Sequence, residues 1–240
     1  MRKAVILAAG RGTRLGALTD EVPKPMVLLK GKPILEHLLD RLQAAGFGEA
    51  LIVTGYRAEA IESHFRDYPL PLQFIRQTVV NGTATAALLA KEFVQTDAFF
   101  LTFGDILAET AVYRDMRLTL TPDAEALIGV KWVPDPYQGA AVYADETKKI
   151  SKIMEKPGWG KSTTNWNSAG LYVFRPSLFA ELTRVPESPR HEFELTSAVE
   201  QLIAAGHRLE IFPIEGAWRD IGRPEDLAAA TEELTENTTP

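Results

Sequence analysis

Apolar and polar positions follow two rhythms in the first part of this sequence. Short apolar runs at residues 4–7, 51–54 and 99–103 lack helical periodicity and read as buried strands. Between them, residues 33–45 place Ile34, Leu35, Leu38, Leu39 and Leu42 on one helical face, and residues 58–65 and 83–93 read as two further helices. This alternation predicts an α/β fold with a doubly wound, mostly parallel sheet covered by helices on both faces.

From about residue 110 the pattern is less regular. Residues 126–133 and 170–174 read as strands, with a loop at 158–165 between them. Residues 194–205 read as a helix closed by Gly206, residues 208–213 as a strand and residues 224–234 as a last helix. Residues 235–240 read as a frayed tail. No repeat, low-complexity linker or shift of composition divides the chain, so one domain over residues 1–240 is expected.

Composition removes several classes of function. With 240 residues, 45% of them hydrophobic, the chain can bury a large core. A net charge of −6 with both signs interspersed offers no basic stripe for nucleic acid, so any phosphate chemistry is expected on small molecules. The absence of cysteine excludes disulfides, thiolate zinc sites and a cysteine nucleophile, and fits a reducing compartment. The first apolar run is too short for a signal peptide, and no run reaches the roughly 18 residues of a membrane span. A cytoplasmic protein without a membrane partner is expected.

A glycine-rich segment, Leu7-Ala8-Ala9-Gly10-Arg11-Gly12-Thr13-Arg14-Leu15, follows the first strand directly. Ligands of open α/β sheets bind beyond the carboxyl ends of the strands, and glycine there lets backbone N–H groups approach phosphate. The dinucleotide fingerprint G-x-G-x-x-G fails because Leu15 occupies its third glycine position, which disfavours a nicotinamide-dependent oxidoreductase. The P-loop fails because no Gly-Lys-Ser/Thr follows. Instead Arg14 and Lys24 bring two cations to the loop, which suits a triphosphate. Asp105, after Gly104 at the end of an apolar strand, is expected to emerge beside that loop. Mg²⁺ takes one or two carboxylates with phosphate oxygens and water, so Asp105 and Asp220 form a possible pair of ligands. Either aspartate alone also reads as an ordinary turn or cap residue.

The run Leu-Ala-Ala-Gly-x-Gly-Thr-Arg-Leu, followed by Leu18-Thr19, Pro23-Lys24-Pro25-Met26 and Gly31-Lys32-Pro33-Ile34, resembles the signature of sugar-1-phosphate nucleotidylyltransferases. The resemblance extends nearly to the end of the chain, through Trp218-Arg219-Asp220-Ile221-Gly222. Two departures are Ala17 in place of a common proline and His191 where glycine is frequent; neither removes a group the chemistry needs. The resemblance implies a Rossmann-like nucleotidyltransferase fold, with residues up to about 110 serving the nucleotide and residues 111–240 the sugar phosphate. It implies catalytic roles for Arg14, Lys24, Asp105, Lys156 and Asp220, with Mg²⁺ on Asp105 and Asp220. It places the nucleotide on Leu7, Ala9, Gly10, Gly12, Thr13, Arg14, Lys24, Gln77 and Gly82. It places the sugar phosphate on Gly139, Glu155, Lys156, Asn167 and Arg190.

The expected partners are therefore a nucleoside triphosphate and a sugar 1-phosphate. Gln77, five residues before Gly82, looks like the base reader of pyrimidine-using members, since a glutamine donates and accepts at the edge of uracil or thymine. Glucose 1-phosphate is the expected acceptor, with N-acetylated sugars and muramate or heptose derivatives as alternatives, and a guanylyltransferase as a further alternative within the family. A sugar-nucleotide sensor that has lost catalysis is the alternative outside enzymes. The hexapeptide-repeat domain of acetyltransferase-fused members is not found in the sequence, so no second activity is expected. The four histidines lack metal spacing, and Trp132, Trp159 and Trp166 read as packing residues or sugar-side lining.

Overall fold

The computed structural model describes residues 1–236. The first strand, β1 (Lys3–Ala8), is followed by the short hairpin β2 (Leu28–Leu29) and β3 (Lys32–Pro33). Next come α1 (Ile34–Ala44), β4 (Glu49–Thr54), α2 (Ala58–His64), β5 (Leu72–Arg76), α3 (Thr83–Leu88), α4 (Lys91–Val94) and β6 (Phe99–Phe103). The central part holds β7 (Ile106–Ala108), α5 (Thr110–Thr119), β8 (Ala126–Trp132), β9 (Ala140–Ala144), β10 (Ile150–Glu155) and β11 (Trp166–Phe174). The chain closes through α6 (Leu178–Leu182), α7 (Leu195–Ala204), β12 (Leu209–Pro213), β13 (Trp218–Asp220) and α8 (Pro224–Glu236).

One nine-stranded sheet takes strands from both halves of the sequence. Strands β6, β1, β4 and β5 lie parallel in that order, each buried run of β1, β4 and β6 packing on both faces. Strand β11 returns antiparallel against β6, β8 pairs antiparallel with β11, and β12 lies parallel to β8. The sheet is thus mostly parallel but mixed. Ile34, Leu35, Leu38, Leu39 and Leu42 pack α1 on one face with α2, α5 and α8, while α3, α4, α6 and α7 cover the other. Among the described residues, no helix is long and apolar enough to cross a membrane.

Several expectations are refined. The helix expected over residues 83–93 is two short helices, because Leu89 and Ala90 hydrogen-bond three residues back and tighten the chain between them. Gly206 does cap α7, in the left-handed region at φ +83°. Strands β5, β9 and β10 and helix α5 escaped the pattern, since only parts of each bury a continuous face. The β9–β10 turn carries its own signal: the Asp145 carboxylate accepts from the backbone N–H of Thr147 and Lys149. Of the residues expected to form a tail, 235 and 236 continue α8, and 237–240 lie outside the described residues.

Two irregularities build the site. Strand β11 bulges between Ser168 and Tyr172, so its C-terminal part pairs with β6 while Asn167 turns to β9. Gly170 sits in that bulge at φ +69°, where a Cβ would lie 2.1 Å from Ile106 Cδ1, so only glycine fits. Separately, β7 and β13 form a two-stranded ribbon beyond the carboxyl ends of the parallel strands, with Ile106 opposite Asp220.

Candidate active site

Strands β1, β4 and β6 end on the same edge of the sheet, and the glycine-rich segment leaves β1 there. The loop is pinned from several sides. Tyr56 N–H donates to Ala9 O at 2.9 Å, and the Thr19 hydroxyl donates to Gly12 O at 3.2 Å and Gly16 O at 3.1 Å. Gly12 is at φ +72°, and a Cβ on it would meet Lys24 Cβ at 2.5 Å. Glycine is therefore what lets the buried stem of Lys24 pass against the loop.

Lys24 leads to the two aspartates. Its ammonium forms an ion pair with Asp105 and lies 3.7 Å from Asp220 Oδ1. Asp105 is placed by the edge of β6: Gly104 N–H donates to Leu7 O at 2.9 Å, and Pro25 packs closely on Gly104. Asp220 is placed by the β7–β13 ribbon, and the next residue, Ile221, donates its N–H to Asp105 O at 3.0 Å. The two carboxylates share one cation. Burial, and then the Asp105 charge, push Asp220 up to about 6, against the opposing pull of Lys24 and Arg14.

Among the cavities that open from this point, two gather most of the expected residues. The first, about 280 Å³, is lined by Leu7, Ala9, Gly10, Gly12, Arg14, Lys24, Gln77 and Gly82, all expected nucleotide residues. Thr13 is the exception, lying exposed at the start of the 3₁₀ turn Thr13–Thr19 outside this lining. The second, about 270 Å³, gathers Gly139, Glu155, Lys156, Asn167 and Arg190, the complete expected acceptor set. The cavities share Arg14, Thr83, Phe103, Asp105 and Glu192.

The junction also contains residues that the motifs did not single out. Thr83 Oγ1 accepts a hydrogen bond from Leu195 N–H at 2.9 Å, tying the start of α3 to the start of α7. Phe193 N–H donates to Asn81 O and Ala84 N–H donates to Phe193 O, both at 2.9 Å. Gly82 lies so close to this crossing that a Cβ would meet Phe193 O at 2.2 Å. Their signal was present, in Gly82-Thr83-Ala84 and in the acidic pair of Glu192-Phe193-Glu194, but only the fold joins the two segments.

Gln77 is buried, and its side-chain N–H₂ donates to Gly82 O at 3.1 Å and to Thr85 Oγ1 at 2.9 Å. A carbonyl only accepts, so the amide nitrogen must face Gly82, and the amide oxygen has no partner recorded among the described residues. The donor half of the expected donor–acceptor pair is thus engaged within the protein.

In the second cavity, burial raises the pKa of Glu155 above the usual carboxylate range, opposed by Arg190 and Lys156 and reinforced by Glu194. Lys156 is exposed, at φ +42°, with its N–H held by Gly139 O at 2.7 Å. Asn167 crosses directly over Gly139: a Cβ on Gly139 would lie 2.1 Å from Asn167 Oδ1. Trp218 Nε1–H reaches Ala169 O at 2.9 Å and fixes the ribbon to the bulge. Among the described residues no cluster of three or more His, Cys, Asp or Glu side chains is placed to hold a metal, which leaves the two aspartates as the candidate donor pair.

Comparison with known proteins shows the family. The family model described as nucleotidyl transferase matches residues 3–237. The chain belongs to the nucleotidyl transferase family. Within that family it is 35% identical to the UTP–glucose-1-phosphate uridylyltransferase AglF of Haloferax volcanii, covering 99% of this chain and 98% of that one. It is 34% identical to the bifunctional protein GlmU of Methanococcus maripaludis over 95% of this chain but 53% of that protein. The chain thus spans about half the length of the GlmU relatives it matches. The nucleotidyl transferase fold is also that of a UDP-glucose pyrophosphorylase crystal structure complexed with UDP-glucose, at a TM-score of 0.90, 20% identity and 99% coverage of both chains.

Proposed function

We propose that this chain is a sugar-1-phosphate nucleotidylyltransferase that joins UTP or dTTP to glucose 1-phosphate and releases pyrophosphate. The junction carries this reading: a glycine-lined cavity and a carboxylate-rich cavity meet at Arg14, Asp105 and Glu192, with Lys24 and Asp220 beside them. The name of the Haloferax relative supports uridine and glucose as the partners. Residues up to about 110 serve mainly the nucleotide and later residues the acceptor. The division is crossed by Arg14 and Thr83 in the acceptor cavity and Glu192 in the nucleotide cavity.

In the proposed reaction an oxygen of the sugar phosphate attacks the α-phosphorus in line. The bond from that phosphorus to the bridging oxygen breaks, and pyrophosphate leaves from the opposite side. The attacking phosphate is already anionic, so no general base is required. Arg14 and Lys24 neutralise the triphosphate, Lys156 holds the acceptor phosphate, and Glu155 with Asn167 orients the sugar. Catalysis then consists of alignment and charge neutralisation. Asp105 and Asp220 fit a hard divalent cation, being two carboxylates pressed together over a single lysine. Mg²⁺ bound to them would neutralise charge on the phosphates. We place the reaction in the cytoplasm.

The amide oxygen of Gln77 accepts the N3–H of uracil or thymine, whereas the N3 of cytosine is itself an acceptor. Facing two acceptors leaves buried groups unpaired, at roughly 1–3 kcal/mol. A pyrophosphate-release assay across nucleoside triphosphates should therefore rank UTP and dTTP first and CTP at least about tenfold lower. Gln77→Ala should flatten the ranking rather than abolish turnover. A panel in which CTP leads, or in which the variant keeps the wild-type ranking, contradicts the base assignment.

A further inference from the structure

We infer that the acceptor is larger than a single hexose 1-phosphate, and that a third cavity takes a second pyranose ring carried by the sugar. The inference rests on the transferase reading above and narrows its acceptor. The third cavity measures about 410 Å³, against about 270 Å³ for the acceptor cavity. The two are continuous, sharing Arg14, Gln138, Gly139, Asn167, Trp218 and Asp220. Glu155 and Lys156 line only the smaller one, so a hexose 1-phosphate held by them leaves the larger one open.

The outer wall of the third cavity comes from the two segments that frame the acceptor cavity. Residues 133–139 lead into Gly139, and residues 157–166 run from Lys156 to Asn167. The segments are tied together. Asn165 Nδ2 donates to Val133 O at 3.1 Å and to Pro134 O at 2.9 Å, and Gly160 N–H donates to Asp135 Oδ2 at 2.8 Å. On this frame Tyr137 lines the cavity, and the Trp159 ring meets it at 4.7 Å and 74°, edge to face. Trp159 is 73% exposed and belongs to neither core cluster, so it serves as a prop for Tyr137 rather than as core.

A pyranose presents apolar C–H faces and a rim of hydroxyls. It is held by an aromatic surface with hydrogen-bonding groups beside it. Tyr137 gives the surface. Asp135 gives an acceptor, since its Oδ1 is buried without a hydrogen-bond partner among the described residues, a cost that a ligand hydroxyl would relieve. Charge points to the same occupant. The arginines of the lining, Arg14, Arg219 and Arg223, are matched by Asp135, Asp220 and Asp226, so the cavity suits a neutral polar group better than a second phosphate or a carboxylate.

The test compares steady-state kinetics on glucose 1-phosphate with those on the 1-phosphates of maltose, isomaltose, cellobiose and gentiobiose. The proteins are the wild type, Tyr137→Ala, Tyr137→Phe and Trp159→Ala. At least one disaccharide 1-phosphate should exceed glucose 1-phosphate in kcat/KM, by about tenfold. Tyr137→Ala should remove that advantage while kcat/KM for glucose 1-phosphate stays within about twofold of wild type. Tyr137→Phe, which keeps the ring, should retain the advantage, and Trp159→Ala should lose part of it. Glucose 1-phosphate preferred over every disaccharide 1-phosphate would overturn the inference. So would an advantage that survives Tyr137→Ala, or a Tyr137→Ala protein impaired equally on both classes of acceptor. A wild-type protein that turns over no sugar 1-phosphate removes the transferase reading itself, whereas turnover of glucose 1-phosphate alone overturns only the second-ring subsite.

Discussion

The proposed nucleotide cavity and the proposed acceptor cavity are built from different materials. The first gathers small residues, Ala9, Gly10, Gly12, Gly82 and Gly104, at the carboxyl ends of parallel strands, beside Arg14, Lys24 and Gln77. The second is lined by long polar side chains, among them Glu155, Lys156, Asn167, Arg190 and Glu194, on strands of mixed direction and the turns between them. A cradle made of N–H groups needs glycine at fixed places, because only glycine leaves room for the ligand or for Lys24. A pocket made of side chains retains its architecture when one of them changes. On the proposed reading, the nucleotide side is constrained by chemistry common to all triphosphates, and the acceptor side is where a particular sugar would be chosen.

The sharpest way to break this division is at the junction both cavities share. Asp105→Asn removes a negative charge without changing size. It should leave the melting temperature near wild type but lower turnover at least about a hundredfold, roughly 3 kcal/mol of barrier. Near-normal turnover at saturating Mg²⁺ would remove Asp105 and Asp220 from the reaction.

Two glycines sharpen the comparison further. At Gly82 a Cβ would meet the backbone of Phe193, and the residue is at φ +138°, so Gly82→Ala must displace the crossing of two chain segments. It should cost about 1–3 kcal/mol of stability and raise the KM of both substrates. At Gly139 the Cβ would meet the side-chain oxygen of Asn167, which can turn away. Gly139→Ala should raise the acceptor KM alone, with melting nearly unchanged. Equal effects of the two replacements on both substrates would dissolve the distinction.

Lys156→Ala should raise the sugar-phosphate KM about tenfold, with triphosphate binding within a few fold of wild type. Triphosphate affinity falling equally would show that Lys156 belongs to both cavities.

The smallest effect concerns pH. The carboxyl of Asp220 is raised to about 6, so the folded state takes up its proton more readily than the unfolded chain. Its contribution therefore favours the fold at low pH and is lost as pH rises through about 6. A divalent cation needs the ionised carboxylate and relieves its repulsion with Asp105. Mg²⁺ should accordingly raise the melting temperature more at pH 7.5 than at pH 5.5, and the opposite order would contradict the assignment of Asp220.

The same contrast explains what could be read before the structure. Gly10, Gly12 and Gly104-Asp105 follow strand ends, where local sequence marked a ligand-binding loop, while the base-reading role of the Gln77–Gly82 spacing came from the family resemblance. The parallel core followed from the apolar runs for the same reason. Strands β9 and β10 were not legible, because their burial depends on the bulge of β11 rather than on any periodicity of their own. Nor were Thr83 and Glu194. Thr83 acts through α7 and Glu194 through Arg190, partners set by the crossing of residues 81–84 with residue 193. The engagement of the Gln77 amide by Gly82 and Thr85 is likewise a property of folded neighbours.

Product analysis tests the central claim most directly. The purified chain is incubated with UTP, glucose 1-phosphate and Mg²⁺, and the mixture is resolved by mass and by phosphate content. Transfer across the shared junction predicts a nucleoside diphosphate sugar and pyrophosphate in equal amounts, with neither formed when the sugar phosphate is omitted. Pyrophosphate appearing without the sugar phosphate, or no product from any pairing of triphosphate and sugar 1-phosphate, would contradict it.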